Sequence, residues 1–347
     1  MSQKPIWLGK NTVALRGAEL LSTGVVIDKP TSMTVGEDSM LGQANMLNWE
    51  VQKRPLVNEY GHVHTDKFEV TYMNPDTEQR EVFPNVIVGR HYIPYQNEEF
   101  FRFADALLNF DAIPQLVGTA VDRRRVFGTF KIEGSINVGG VDLLEPWLLA
   151  KTSHDGTLRM SIDFKLRRLK CTNELGGIGL SDNAVVIKHT ASADYNMAKA
   201  RETLGLAKTW ITEVNEIAEK LVNVPMKNDQ FVRMAETIYP KPLVTIDAPN
   251  KGSVSKWESR IDNLEKIFLG DGSQGDTTGK IGNTAWCGYN ALIEEVDWYR
   301  VKPDRSNALA MSQQSLGIIG HTSKTKNNIL TQVEHFVNTL PKTVALS

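Results

Sequence analysis

The sequence predicts an α+β protein: an antiparallel sheet and a long packing helix in a β-β-β-α core, followed by a helical C-terminal part. Three observations predict it. Segments 118–132 and 157–171 alternate apolar and polar residues with the period of strands. From about Ser192 to Val222, Met197, Leu204, Ala207, Trp210, Ile211, Val214, Ile217, Ala218 and Leu221 fall on one broad apolar helical face. Beyond Pro225 the strand period gives way to helical stripes.

Residues 1–45 are rich in Gly, Ser, Thr and Met with weak periodicity. They read as an extended arm tied down by Trp7, Leu8 and the Val25–Ile27 run. Order begins with LNWEVQKRPL (47–56), followed by two strands, KFEVTYM and EVFPNVIVGRHY, around the turn NPDTEQ. NEEFFRFADALLNF is a helix with Asn97 as its N-cap and Glu98 and Glu99 at the positive end of its dipole. Its core stripe is Phe100, Phe103, Leu107 and Phe110.

The strands GTAVDRRRVFGTFKI and TLRMSIDFKLRRLKC come next, joined by a link that carries EPWLLA and SHDG. A short strand, AVVIKHT, precedes the long helix. Further helices start at Asn228 and at about Ser253, the second with the stripe Trp257, Ile261, Leu264 and Phe268. A last clear one runs through TAWCGYNALIEEVDWY, after the polar loop GDGSQGDTTGKIG. The economical division is an arm over 1–45, an α+β core over 46–225 and a helical region over 226–347.

Composition narrows the function. With 39 Lys and Arg against 41 Asp and Glu, the chain is not basic throughout, so any anion-binding surface must be local. Two cysteines, Cys171 and Cys287, supply neither a disulfide framework nor a zinc motif, which fits a reducing cytoplasm. The start, MSQKPIWLGKNTVALRG, holds no apolar run of signal-peptide length, and no other run reaches a membrane span. The expectation is a soluble, cytoplasmic protein with no membrane partner.

The sharpest local feature is a pair of basic strands. Residues 159–170 carry Arg159, Lys165, Arg167, Arg168 and Lys170 against Asp163 alone. Residues 119–131 carry Arg123, Arg124, Arg125 and Lys131 against Asp122. Alternation puts Met160, Ile162, Phe164 and Leu166 on the core face, with Arg159, Lys165 and Arg167 opposite. In the other strand Val126, Phe130 and Ile132 face inward with Gly128, and Arg125, Phe127, Thr129 and Lys131 face outward. Cations flanking an exposed aromatic suit single-stranded nucleic acid, with charge for phosphates and a π-face for bases. The competing reading is a solvated sheet face with ordinary ion pairs and Phe127 packed under a helix.

No catalytic constellation is complete. Ser153, His154 and Asp155 are consecutive, and one tight turn cannot align nucleophile, base and orienter. GDTTGK (275–280) lacks the spacing, the Ser or Thr and the preceding strand of a phosphate-binding loop. His62 and His64 share a strand face without a third ligand at suitable spacing. Trp286, Tyr289 and Ile293 read as core, and Glu294, Glu295 and Asp297 as a solvated acidic face. Neither a cofactor nor a metal is expected, and the chain does not read as an enzyme.

LNWEVQKRPL, YQNEEFFRFADALL, RRRVFGTFKI, EPWLLAKTSHDGTLRMSIDFKLRRLKCTN and KHT, followed by GNTAWCGYNALIEEVDWYR, form an ordered set over roughly 47–300. This set resembles the phage/plasmid-like family called domain of unknown function 932. The N-terminus departs from it, with IWLGKN where a Trp-His-Gly-Leu-Gly-like stretch is expected. The resemblance implies a phage or mobile-element origin and no settled activity. The order of elements is also similar to the annealing core of phage single-strand annealing proteins, a likeness of fold order that does not carry function by itself.

The expectation is a non-enzymatic, oligomeric single-stranded DNA (or RNA) binder or annealer. Arg123, Arg124, Arg125, Lys131, Arg159, Lys165, Arg167, Arg168 and Lys170 would hold the backbone and Phe127 would stack on bases. Two alternatives stay open: a self-assembling or host-interaction protein that touches no nucleic acid, and a hydrolase whose site the sequence hides.

Overall fold

In a computed structural model of the chain, the described residues are 12–15, 25–27, 32–108, 112–120, 122–140, 142–168, 174–176, 185–186, 193–243, 251–271, 282–299 and 322–340. Their strands form two sheets in an α+β arrangement. The smaller contains β3 (Gln52–Val57), β4 (Val63–Asn74) and β5 (Gln79–Gly89), antiparallel in that order.

The larger is nine-stranded among the described residues. It contains β1 (Thr12–Leu15), β2 (Val25–Ile27), β6 (Ile113–Ala120), β7 (Arg125–Lys131), β8 (Ile136–Val138), β9 (Asp142–Ser153), β10 (Ser161–Arg168), β11 (Glu174–Gly176) and β12 (Val185–Val186). Its main path is β11-β10-β9-β7-β6-β1-β2, with β12 on β10 and β8 on β9. Only the β1–β2 pair among these is parallel.

The helices are α1 (Met40–Gln43), α2 (Asn97–Leu108), α3 (Ala193–Val222), α4 (Asn228–Ile238), α5 (Lys251–Lys266), α6 (Ala285–Glu294) and α7 (Thr322–Thr339). π-helical turns extend α5 through Ile267–Asp271 and α6 through Glu295–Tyr299. None of the described helices is long and apolar enough to cross a membrane.

The apolar stripes end up where periodicity puts them. Phe100, Phe103 and Leu107 of α2 and Ala207, Trp210, Val214, Ala218 and Leu221 of α3 are buried; Phe110 lies outside the described residues. Both helices serve one face of the large sheet, whose rows are Gly128–Ala150–Ile162 and Phe130–Leu148–Phe164 across β7, β9 and β10. Phe164 stacks on Trp210 at 5.6 Å, and Gly128 leaves room for Phe101. The helical part joins the sheet through a buried hydrogen bond from Trp286 Nε1 to Asp142 Oδ2, 2.9 Å long.

Three expectations need correction. Residues 32–45 are not an arm. Met33, Met40, Leu41 and Ala44 are buried, and Asp105 of α2 holds the segment by accepting from Ser32 Oγ, the Met33 amide and Thr34 Oγ1. Asn97 does not cap α2. Its amide group donates to Met46 O and accepts from a histidine, while Glu99 takes the Gln96 amide at the helix start. The link carrying EPWLLA is a strand, β9, and it lies between β7 and β10. The two basic strands are therefore not neighbours.

Candidate nucleic-acid interface

Strand register decides where each predicted contact lies. On the sheet face opposite α2 and α3, the rows are Arg125–Ser153, Phe127–Lys151–Ser161, Thr129–Leu149–Asp163 and Lys131–Trp147–Lys165. This face is covered as well as the first: Leu116, Phe127, Leu149 and Trp147 are all buried. Alternation told the faces apart correctly, but both are interior.

Phe127, at 0% exposure, is not a stacking platform for bases. Lys165, at 6%, is buried. Lys131 is half-buried and pairs with Glu145, while Lys151, which the basic-strand pattern did not include, pairs with Asp163. Arg167 and Arg168 lie on β10 opposite Glu145 and Leu144, and Lys170 lies outside the described residues. The sequence reading missed Trp147, flanked by Lys131 and Lys165 in its row. Its signal was the alternation of Leu144, Pro146, Leu148 and Ala150 against Glu145, Trp147, Leu149 and Lys151.

The three consecutive arginines run from the β6–β7 turn into the first residue of β7 and divide there. Arg123 directs its guanidinium to the β4–β5 hairpin, donating to Asn74 Oδ1 at 2.8 Å, to Asp76 Oδ2 at 2.5 Å and to Tyr72 Oη at 3.4 Å. It is a tie between sheets rather than part of an open basic surface. The half-buried Arg124 lies 3.9 Å from the exposed Asp122, a long contact. Arg125 reaches Thr157 Oγ1 at 3.5 Å.

β7 pairs with β9, so this turn lies beside the β9–β10 connection, and the His154 amide donates to Arg124 O at 2.7 Å. That connection carries Arg159, which is exposed. Gly156, at φ +73°, makes the turn in the left-handed region, and a Cβ there would meet the Tyr92 ring at 3.6 Å. Burial alone would raise the Asp155 carboxyl, but hydrogen bonds from Thr157 and Ser153 and the nearby Arg125 outweigh it and hold the group below its usual range. Tyr92 donates to His154 O at 3.0 Å, and burial pushes its phenol up. Arg90 and His91, next to Tyr92 in the chain, are exposed. Arg124 and Arg125, half-buried, and Arg159, exposed, thus come from adjoining connections at one end of the sheet.

Ser153 and Asp155 are hydrogen-bonded to each other, but His154 turns away from both. Ser153 Oγ accepts the Leu158 amide at 2.9 Å, and Asp155 accepts from Thr157. His154 Nε2 lies 3.0 Å from Asn97 Oδ1, with the ring among Trp49, Phe83 and Tyr95. Burial lowers its pKa to about 4, with Asp155 opposing. It cannot reach a phosphate in solvent.

The carboxylates of the helical part are not solvated. Glu294, Glu295 and Asp297 are buried; Arg260 Nε lies 3.1 Å from Glu295, and Lys326 lies 2.7 Å from Asp297. Packing of α6 against α5 and α7 covers the face that helical spacing left open. Among the described residues no group of three His, Cys, Asp or Glu could hold a metal ion. The loop 275–280 lies outside the described residues.

No curated protein and no solved structure matches the chain. The model of one family, described as Domain of unknown function (DUF932), matches residues 86–326, which takes in β7, β9, β10, the long helix and the Trp286 segment. The chain belongs to the DUF932 family.

Proposed function

We propose that this protein binds single-stranded nucleic acid, DNA above all, and acts without catalysis as a homo-oligomer in phage-type recombination or replication, where it anneals strands. Arg124, Arg125 and Arg159 hold phosphates in this reading, with Arg90 extending the positive rim. The supporting observation is the β7–β9 pairing, which sets the arginine turn beside the β9–β10 connection. Arginine suits the role because its planar fork matches phosphate oxygens two at a time.

The test is binding of labelled oligothymidine and oligouridine across a salt series. Each phosphate contact adds about −0.7 to the slope of log affinity against log salt on a single strand. Arg124→Ala, Arg125→Ala and Arg159→Ala should each weaken binding and flatten the slope by about that amount. Wild-type protein that binds neither oligonucleotide at low salt refutes the reading, and equal binding to both would make RNA an equally good ligand.

A further inference from the structure

We infer that Arg123 is a positioning residue for this site: anchored on the β4–β5 hairpin, it holds the β6–β7 turn in the conformation that presents Arg124 and Arg125. The inference rests on the proposed nucleic-acid reading for its ligand, and on the turn itself for its geometry.

Asp122 and Arg123 have φ of 53° and 66°, consecutive residues in the left-handed region. Two such residues at the tip of a hairpin are the signature of the turn whose twist matches its strands, normally built from Asn-Gly or Asp-Gly. Asp tolerates the first position. Arg does not favour the second, because its Cβ crowds the backbone there. A non-glycine residue keeps such a conformation only where its surroundings over-determine it.

The surroundings of Arg123 do so. Its side chain is 14% exposed, and Tyr72, Asn74 and Asp76 all accept from it. The anchor is itself fixed. Asn74 Oδ1 also accepts the Asp76 amide at 2.9 Å, and Tyr72 stacks on Phe83 at 4.2 Å between ring centres. Without it the turn would relax towards negative φ, splaying the strand ends and redirecting the two arginines that follow.

Arg123→Gly and Arg123→Ala separate positioning from direct contact, since both remove the same charge. Glycine adopts the left-handed conformation unaided, so R123G should bind oligothymidine with near wild-type affinity. R123A should bind about tenfold more weakly, the equivalent of about 1.4 kcal/mol. Asp76→Asn adds a sign test. Loss of an acid beside a basic site strengthens anion binding through the field alone, whereas loss of the anchor weakens it.

Equal weakening in R123G and R123A would mean the guanidinium itself meets phosphate, and tighter binding by D76N would reduce the anchor to a field effect; either result overturns the inference. A second measurement needs no ligand: β6–β7 amide protection against hydrogen exchange should be retained in R123G and fall in R123A and D76N. Unchanged protection in both overturns the inference even if wild-type protein binds no nucleic acid, the outcome that refutes the function alone.

Discussion

His154 Nε2 lies 3.0 Å from Asn97 Oδ1, and this one contact joins the end of β9 to the start of α2 inside a box of Trp49, Phe83 and Tyr95. Asn97 donates its own amide to Met46 O, so its Oδ1 accepts and His154 carries its proton on Nε2. Nδ1 is then a buried acceptor with no hydrogen-bond partner.

Protonating this ring places a charge in an apolar box. Its pKa falls from 6.5 to about 4 on folding, mainly through burial. A depressed pKa means that the stabilisation is complete above pH 6.5 and is lost as pH falls towards 4. The loss is about 3 kcal/mol over that window. His154→Gln should flatten that part of the stability–pH curve, measured by urea unfolding. An unchanged slope would assign the acid sensitivity to other groups.

Gly128 should not tolerate a methyl group. An added Cβ would lie 2.7 Å from Phe101 Cε1, where β7 meets α2. Gly128→Ala should cost about 1–3 kcal/mol, the usual penalty for overfilling a packed core. Phe101→Leu in the same chain should recover part of it, which differential scanning calorimetry would detect.

Lys326 and Asp297 form a buried pair between α7 and the turn after α6. Lys326→Met strands a carboxylate and should destabilise by about 3–5 kcal/mol. Adding Asp297→Leu should restore much of the loss, because two apolar side chains fill the site without burying charge. A double variant no more stable than the single one would contradict this account.

Trp286→Phe removes the indole donor from Asp142 and should cost roughly 1.5–3 kcal/mol, the range for a hydrogen bond to a charged group. This bond ties the helical region to the sheet, and the Pro225–Thr284 bridge ties the start of α6 to the α3–α4 connection. Near- and far-ultraviolet circular dichroism should therefore report one coincident urea transition in wild-type protein. Two separated transitions would show that the regions unfold independently.

The helices were legible because each carries one apolar stripe and meets the core on one side. α3 begins and ends, and α4 begins, within a residue or so of the positions the sequence predicts. The strands were less legible wherever both faces are interior. Phe127 alternates away from Val126 and Phe130, yet all three are buried, so period two marked the face without marking exposure. β9 hid for the same reason: Leu148, Leu149 and Ala150 are consecutive buried residues, and Pro146 interrupts the pattern. The carboxylates Glu295 and Asp297 looked solvated because their partners, Arg260 and Lys326, lie 29 residues or more away in sequence. Long-range pairing of that kind leaves no periodic trace.

The place of β1 in the large sheet sets a timetable for synthesis. Strands β6, β7, β9 and β10 follow one another closely, but β1 pairs with β6 through Thr12 and Gly118. The first strand thus leaves the ribosome long before its partner exists. At about 5–20 residues per second that delay is roughly 5–20 s. During it β1 has β2 beside it in sequence but not β6, through which the pair joins the sheet. The strand that extends the finished sheet is made well before its partner and must wait for its place.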